Sequence, residues 1–256
     1  MNRNDVLTDP RKLVALDLKN AGFDIDKINI PKRVYLLADS LYDTMLSRNC
    51  GAFKYPLGGK LYVFHENENV GFVKGHMCSP AIATQAEDLI AGGVKELIHV
   101  GFAGGLQTDM KAGDIVLTDG AYNDTAVAGL YGFDYDLIES SRELTDELDR
   151  LLTEHAVLFR RGKHWTTDAG YRETWGQVID YRKKGALCVE MEGVGLFTIA
   201  NYRKCAASAV YVISDVYREN DWNLGWGENK LDTAVAQIID TIIAAVKKQE
   251  GKNCGI

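Results

Sequence analysis

The chain has 256 residues, of which 46% are apolar and 25% charged, and its formal net charge is -7. That length lies near the upper end for one domain, and the apolar share can bury a large core without disulfides. The acidic balance argues against non-specific attraction to nucleic acid or anionic membranes and points to a small-molecule ligand.

The first 32 residues carry an amphipathic pattern, Leu13, Val14, Leu16 and Leu18, that predicts a short leading helix; "IPKR" then opens a first core strand, "RVYLLAD". Residues of high β-propensity in "AFKYPLGGKLYVFHENENVGFVKG", with "LGG" and "NEN" as turns, predict a hairpin-like run of strands. Residues 79–93 predict a helix with Ser79 as N-cap, Pro80 at the first helical position, a face of Ile82, Ala86, Leu89 and Ile90, and a Gly-Gly stop. The strand "ELIHVGF" follows, then a glycine turn, "AGGLQTDMKAG", and another strand, "DIVLTDG". Residues 136–156 read as a helix with Leu137, Leu144, Leu148 and Leu151 inward. "HAVLFRRGKHWTTDAGYRET" reads as a strand and a loop rich in aromatic and charged groups, and a helix returns through "QVIDYRKKG". "ALCVEMEGVGLFTIANYRKC" is a short strand feeding a helix, and the apolar strand "AASAVYVISDVY" ends abruptly at Ser214 and Asp215. Leu231, Val235, Ile238, Ile239, Ile242 and Val246 form one broad face of a closing helix. Strands alternating with helices predict an α/β fold whose ligands collect at strand carboxyl ends.

The five cysteines, Cys50, Cys78, Cys188, Cys205 and Cys254, are scattered and odd in number, with no CxxC pair and no zinc-finger histidine spacing. They predict reduced thiols, a cytoplasmic protein and no metal site. The opening residues are too polar for a secretory segment, and no apolar run reaches the roughly 18 residues of a membrane span.

Four stretches could carry chemistry. Asp215 stands at the mouth of an apolar strand, where a carboxylate is costly unless hydrogen-bonded or used as an acid; a loop acid or a helix cap is the ordinary alternative. In "VEMEG", Glu190 and Glu192 would share one face of an extended segment, suited to sugar hydroxyls, or would simply favour a helix N-terminus. The glycines after residue 100 permit close backbone approach or a tight turn. They match neither GxGxxG before a helix nor the phosphate-binding GxxxxGK[ST] loop. "WTTDAGYRET" places Trp165, Tyr171, Arg172 and Glu173 close together, as stacking and edge hydrogen bonds to a planar heteroaromatic ligand would need. Packing alone also produces such loops.

In order along the chain, "VGFAGGLQTDMKAGDIVLTDGAYND", "TTDAGYRET", "ALCVEMEGVGLFTIA" and "VISDV", with "KGHMCSPAIATQAEDLI" ahead of them, resemble the nucleoside phosphorylase superfamily. That superfamily includes purine nucleoside phosphorylases, uridine phosphorylases and methylthioadenosine nucleosidases. The resemblance implies a single α/β domain over residues 33–250, after a helical lead-in at 1–32 and before a tail at 251–256. It further implies a twisted, partly barrel-like mixed sheet flanked by helices, a homo-oligomer, and N-glycosidic cleavage of a nucleoside in nucleoside metabolism and salvage. No cofactor is implied; inorganic phosphate is the candidate co-substrate. By the same resemblance Met191 and Glu192 hold the ribose, and the backbone of Phe102, Ala103 and Gly104 lies along the base. Tyr171 and Trp165 are stacking candidates, and Glu190, Arg172 and Ser214 complete the substrate-binding set. Asp215 resembles the acid that serves N7 of a purine as the bond to C1' breaks, which tilts the expectation from uridine to purine.

The phosphate-binding part departs from the family. Its members end the first strand in Gly-Asp-Pro-x-Arg, where Ala38 and Tyr42 stand here, and place an arginine and a hydroxyl where this chain has His99 and Phe102. Each charge-assisted hydrogen bond so lost is worth about 1.5–3 kcal/mol. Asp39 and Asp43 would repel a dianion, and His99, with an ordinary pKa of about 6.5, carries little charge at neutral pH. Arg48, Lys74 or Arg172 could bring a cation back; if water is the acceptor, Asp39, Asp43 or Glu190 could orient it. Phosphorolysis, hydrolysis and nucleoside binding without catalysis are therefore three readings of this sequence.

Overall fold

A computed structural model of the protein describes residues 6–219 and 221–253. Helix α1 (Pro10–Asn20) begins on Asp9, whose carboxylate accepts the Arg11 amide at 3.0 Å, while Pro10 pre-sets its first turn. Val14 and Leu18 are buried; Leu13 and Leu16 of the predicted stripe are exposed. Strand β1 (Arg33–Leu37), helix α2 (Asp39–Ser47) and the strands β2 (Gly51–Tyr55), β3 (Leu61–Phe64) and β4 (Val70–Lys74) follow. Helix α3 (Ser79–Gly92) corrects the expected cap: Ser79 is already helical, and Cys78 precedes it at a φ of 73°. The Ser79 hydroxyl instead donates to the Met191 carbonyl oxygen at 3.0 Å.

Strand β5 (Glu96–Gly105) runs straight through the glycine cluster expected to turn. Both its edges are hydrogen-bonded there, to residues 215–216 on one side and 188–189 on the other, and two partners hold even glycine extended. After β6 (Ile115–Asp124) and the short α4 (Val127–Leu130), Leu137 lies in a strand, β7 (Leu137–Glu139), paired with Tyr122. Helix α5 (Arg142–Glu154) thus starts later than expected, with Leu144, Leu148 and Leu152 buried. Strand β8 (Arg160–Thr167) takes in Trp165, which was expected on a loop; a single 3-10 turn (Gly170–Arg172) follows. Helix α6 (Trp175–Lys183) opens on a reciprocal cap between Thr174 and Gln177. The remaining elements are β9 (Ala186–Glu190), α7 (Gly193–Arg203), β10 (Ala206–Arg218), β11 (Asp221–Leu224) and α8 (Asn229–Asn253). Strand β10 does not stop at Ser214 and Asp215. It shifts register between Ile213 and Asp215 and continues, paired there with β11. Helix α8 passes the expected boundary at residue 250, and residues 254–256 with Cys254 lie outside the described residues.

The sheet is partly a barrel because β10 has two long partners, β5 in parallel and β6 antiparallel. The pairings β6–β8, β8–β9 and β9–β5 close a five-strand ring, and closure removes exposed edges. From β5 the sheet runs outward through β1, β4, β3 and β2. One face is covered by α1, α3 and α7, with Leu18, Leu89, Phe197 and Ile199 in one apolar cluster. Helices α2, α5 and α8 cover the other, with Met45, Leu148, Ile238 and Ile239. Full burial of such side chains stabilises by about 1.5–3 kcal/mol each. No helix among the described residues is long and apolar enough to cross a membrane, and Cys50, Cys78, Cys188 and Cys205 are free thiols.

Helices α3 and α7 meet at Gly195, where an added Cβ would come within 2.4 Å of the Ser79 carbonyl oxygen and 2.8 Å of its Cα. Those atoms are backbone and cannot rotate away. Gly195→Ala is expected to cost about 3 kcal/mol and lower Tm by roughly 10 °C in a calorimetric melt. An unchanged Tm would show that the two helices separate freely.

Candidate active site

Three neighbouring strands present their ends side by side: Asp215 of β10 pairs with Gly104 of β5, which pairs with Val189 of β9. A side chain at 104 would not fit, since its Cβ would lie 2.6 Å from Tyr217 Cε2 and 3.1 Å from Asp215 Oδ2. One residue beyond Val189 the chain leaves the sheet through Glu190, Met191 and Glu192 into α7.

Glu190 and Glu192 do not share a face, because Glu192 takes up φ -118° and ψ -36° and ends the extended segment. Glu190 is sealed: Oε1 accepts from the Thr166 hydroxyl at 2.5 Å and contacts His164 Nε2 at 3.0 Å. Oε2 accepts the Tyr211 hydroxyl at 2.9 Å and the Glu192 and Gly193 amides at 2.8 Å each. Five partners exceed the four lone-pair positions of a carboxylate, so Glu190 has none left for a sugar hydroxyl or a water. It is a positioning residue that shapes the turn into α7. Burial alone would raise its pKa, but the His164 charge and these donors hold it below the ordinary carboxylate range.

Glu192 is left with free capacity. Its Oε1 accepts the Cys78 amide at 2.7 Å and its Oε2 the Met191 amide at 3.3 Å. Burial, reinforced by the charge on Glu190, pushes its pKa up to about 8 against those two amides. Met191 beside it is half-buried, with Sδ 3.4 Å from where a Cβ on Gly170 would stand.

Across Gly104, Asp215 is held on both oxygens, by the Ser214 hydroxyl at 2.6 Å and by Trp222 Nε1 of β11 at 2.6 Å. Two residues on, and so on the same strand face, the Tyr217 hydroxyl donates to Glu173. Burial pushes Glu173 up to about 7, opposed by the Tyr217 hydrogen bond and helped by the charge on Asp215. The expected stacking pair is divided. Trp165 is fully buried and stacked on Tyr181 with centroids 4.4 Å apart, whereas Tyr171 is 98% exposed. Strand alternation explains the first: His164 and Thr166 face Glu190, so Trp165 points to the opposite side. Phe102 lies on β5 as expected, with its ring 5.0 Å from that of Trp226, and Ala103, expected in the turn, lies on β5 as well; Arg172 is exposed in the 3-10 turn.

At His99 and Tyr42, where the resemblance expects phosphate contacts, the described residues place no cation. His99 is 2% exposed, Nδ1 has no hydrogen-bond partner, and burial lowers its pKa to about 4 although Glu190 pulls the other way. Tyr42 packs edge-on against Tyr62 and Phe72. Arg48 is paired with Asp240 at 2.9 Å, away from the strand ends. Asp39 contacts Lys74 at 3.3 Å, and both line a shallow cavity of about 410 Å³ with Lys60, Gly75 and His76. Gly75 separates it from the His99 ring, which would lie 3.6 Å from a Cβ there. A His99 nitrogen and oxygens of Glu190 and Glu192 fall within 4.8 Å of one another. With the lone pairs of Glu190 engaged, two open donors remain there, fewer than the three or four protein ligands of a zinc site.

Sequence reasoning missed His164, Thr166 and Tyr211, which fix Glu190, and also Tyr217 and Trp222. Tyr217 had a signal, since it lies two residues after Asp215 on the same strand. Trp222 lies seven residues after Asp215 on the hairpin partner β11, whereas His164, Thr166 and Tyr211 have no local signal, because they reach Glu190 from other strands.

A family model described as the phosphorylase superfamily matches residues 29–244. A curated relative from Exiguobacterium sibiricum, named purine nucleoside phosphorylase DeoD-type, is 29% identical over 188 residues, covering 72% of this chain and 78% of its own. One of the same name from Caldanaerobacter subterraneus subsp. tengcongensis is 30% identical over 188 residues, covering 72% and 79%. A solved structure described as the P. knowlesi homolog of P. falciparum PNP shares the fold, with a TM-score of 0.68 at 21% identity over 86% of this chain and 90% of that one. With the family match running from ahead of β1 into α8, the chain belongs to the phosphorylase superfamily.

Proposed function

We propose that the chain cleaves the N-glycosidic bond of a purine nucleoside and passes the ribosyl group to inorganic phosphate. The observation that carries this reading is the register Asp215–Gly104–Val189, which brings Asp215 to one side of Gly104 and the strand that leads into Glu192 to the other. The names of the relatives above support the purine and the phosphate.

In this reading Glu192 accepts the 2' and 3' hydroxyls and Met191 packs on the ribose. As the bond from C1' to the base breaks, its electron pair goes to the base, and Asp215, entering this step as the carboxylic acid, supplies the proton or hydrogen bond at N7. The oxocarbenium-like carbon is captured by a phosphate oxygen, leaving free base and ribose 1-phosphate. A homo-oligomer whose neighbouring copy completes the site belongs to the same proposal. The absence of charge on His99, and of a guanidinium at Tyr42, favours a second reading in which water takes the place of phosphate and the product is ribose.

Incubation with inosine, adenosine, methylthioadenosine and uridine, with and without phosphate, followed by mass spectrometry, separates these readings. Phosphate-dependent ribose 1-phosphate from purine nucleosides is expected. Free ribose formed without phosphate would establish the second reading, and binding without any product would overturn both.

A further inference from the structure

Of the two backbone amides on Glu192, the closer, at 2.7 Å, belongs to Cys78 at the start of α3. Cys78 donates it from φ 73° and ψ 149°, a conformation that glycine takes freely and that residues with a Cβ rarely adopt. The helix behind it is fixed, because the Cys78 carbonyl oxygen accepts the Ala81 and Ile82 amides at 3.1 and 3.0 Å and the Ser79 backbone is pressed against Gly195 of α7. With α3 fixed, turning Cys78 to negative φ would rotate its N–H about the N–Cα bond and away from Glu192. The chain ahead of Cys78 is braced from inside α3. Gln85, 1% exposed, accepts the His76 amide at 2.8 Å and donates to the Lys74 and Gly58 carbonyl oxygens at 2.8 and 2.6 Å. One buried amide side chain thus ties the approach to Cys78 at three backbone groups, none of which belongs to a regular pairing at that point.

Resting on the reading of Glu192 as the ribose acceptor, we propose that Cys78 is a positioning residue that acts through its backbone: its left-handed conformation, braced by Gln85, aims an N–H at Glu192 and holds that carboxylate in place for the ribose hydroxyls. The geometry gives the N–H a second effect. Burial and the charge on Glu190 push Glu192 up to about 8, and the Cys78 and Met191 amides oppose them by favouring the ionised form. The other titratable groups facing Glu192 are His99 of β5, Tyr211 of β10 and the Cys78 thiol, with His164 of β8 behind Glu190 and Asp168 near Cys78. Burial lowers His99 to about 4 and raises Tyr211, so both are neutral where Glu192 titrates. The thiol takes no part: burial and the charges on Glu192 and Asp168 push it up.

The test is a carbon-13 carboxyl NMR titration of the ligand-free protein, in which the Glu192 resonance is identified by its loss in Glu192→Gln. In Cys78→Val, whose branched side chain disfavours positive φ, the Glu192 midpoint is expected to rise by about one pH unit, a tenfold weaker hold on the ionised form. The loss for inosine at pH 7.5 is expected chiefly in KM, by about tenfold. Cys78→Gly removes the same thiol but takes φ 73° freely, and its midpoint is expected to stay within about 0.3 units of the wild type. Gln85→Met removes the brace and leaves Cys78 itself intact; the midpoint is expected to rise there too, which keeps the inference open to refutation if Cys78→Val does not fold. An unshifted midpoint in Cys78→Val or Gln85→Met, or an equal rise in Cys78→Gly, would overturn the inference. The titration needs no substrate. The expected shifts with no nucleoside turnover would sink the proposed function alone, and turnover with unshifted midpoints would sink this inference alone.

Discussion

Asp215→Asn is expected to lower kcat for inosine about 10²- to 10³-fold while leaving KM within about threefold. Proton donation to a leaving group contributes about 10²- to 10⁴-fold, or roughly 3–5 kcal/mol of the barrier, and it is realised only as the bond breaks. The amide keeps the shape of the carboxylate and an oxygen for Trp222 Nε1, and its NH₂ group can donate to the Ser214 hydroxyl, so the end of β10 is preserved. The discriminating substrate is 7-methylguanosine, whose N7 is already alkylated and needs no proton. Its turnover in Asp215→Asn is expected within about fivefold of the wild type. Equal loss on inosine and 7-methylguanosine would remove Asp215 from the role of acid and leave it a structural carboxylate.

A loss as large is expected at the sugar. Above pH 8, where Glu192 is ionised, Glu192→Gln replaces a charged acceptor of two hydroxyls by a neutral one, and charge-assisted hydrogen bonds are worth about 1.5–3 kcal/mol each. A fall in kcat/KM of about 10²- to 10³-fold follows, with little further loss when a 2'-deoxynucleoside replaces the ribonucleoside. If the deoxy substrate still loses as much in Glu192→Gln as in the wild type, the hydroxyls bind elsewhere. The same residue sets a pH signature. Its carboxyl holds its proton in the folded protein up to about 8, well above the ordinary carboxylate range. The native state then binds the extra proton, so its stability falls as pH rises from the ordinary range through 8. Ribose binding, which uses the ionised form, improves over the upper part of that window. Glu192→Gln removes the titration, and its Tm is expected to exceed that of the wild type by roughly 5 °C at pH 8.5 and to match it at pH 4. A wild-type Tm that rises between pH 5 and pH 8 relative to the variant would contradict this assignment.

Much of the frame is legible in local pattern. The stripe from Leu231 to Val246 becomes α8 against α2 and α5, and the apolar run from Ala206 becomes the central β10. Where local signals failed, a neighbour distant in sequence had intervened. The glycines at 104 and 105 suggest a turn, but hydrogen bonds on both edges make them strand. Leu137 fits a helical stripe but is taken by β6. Ser79 looks like a helix cap, yet its hydroxyl turns to Met191 and the preceding amide goes to Glu192, both more than a hundred residues away.

By itself the sequence determined the order of strands and helices, through apolar periodicity, and the residue types at the strand ends, including Tyr42 and His99 where the resemblance expects arginines. Only the tertiary structure decided which of two neighbouring glutamates keeps free lone pairs. Glu190 is saturated by groups from β8, β10 and its own turn, while Glu192 meets two backbone amides. It also decided that Trp165 is core and that Glu173 joins Tyr217 beside Asp215. The physical reason is that lone-pair occupancy and desolvation depend on atoms brought together by closure of the β5–β10 ring, and residues far apart along the chain leave no periodic trace of that meeting.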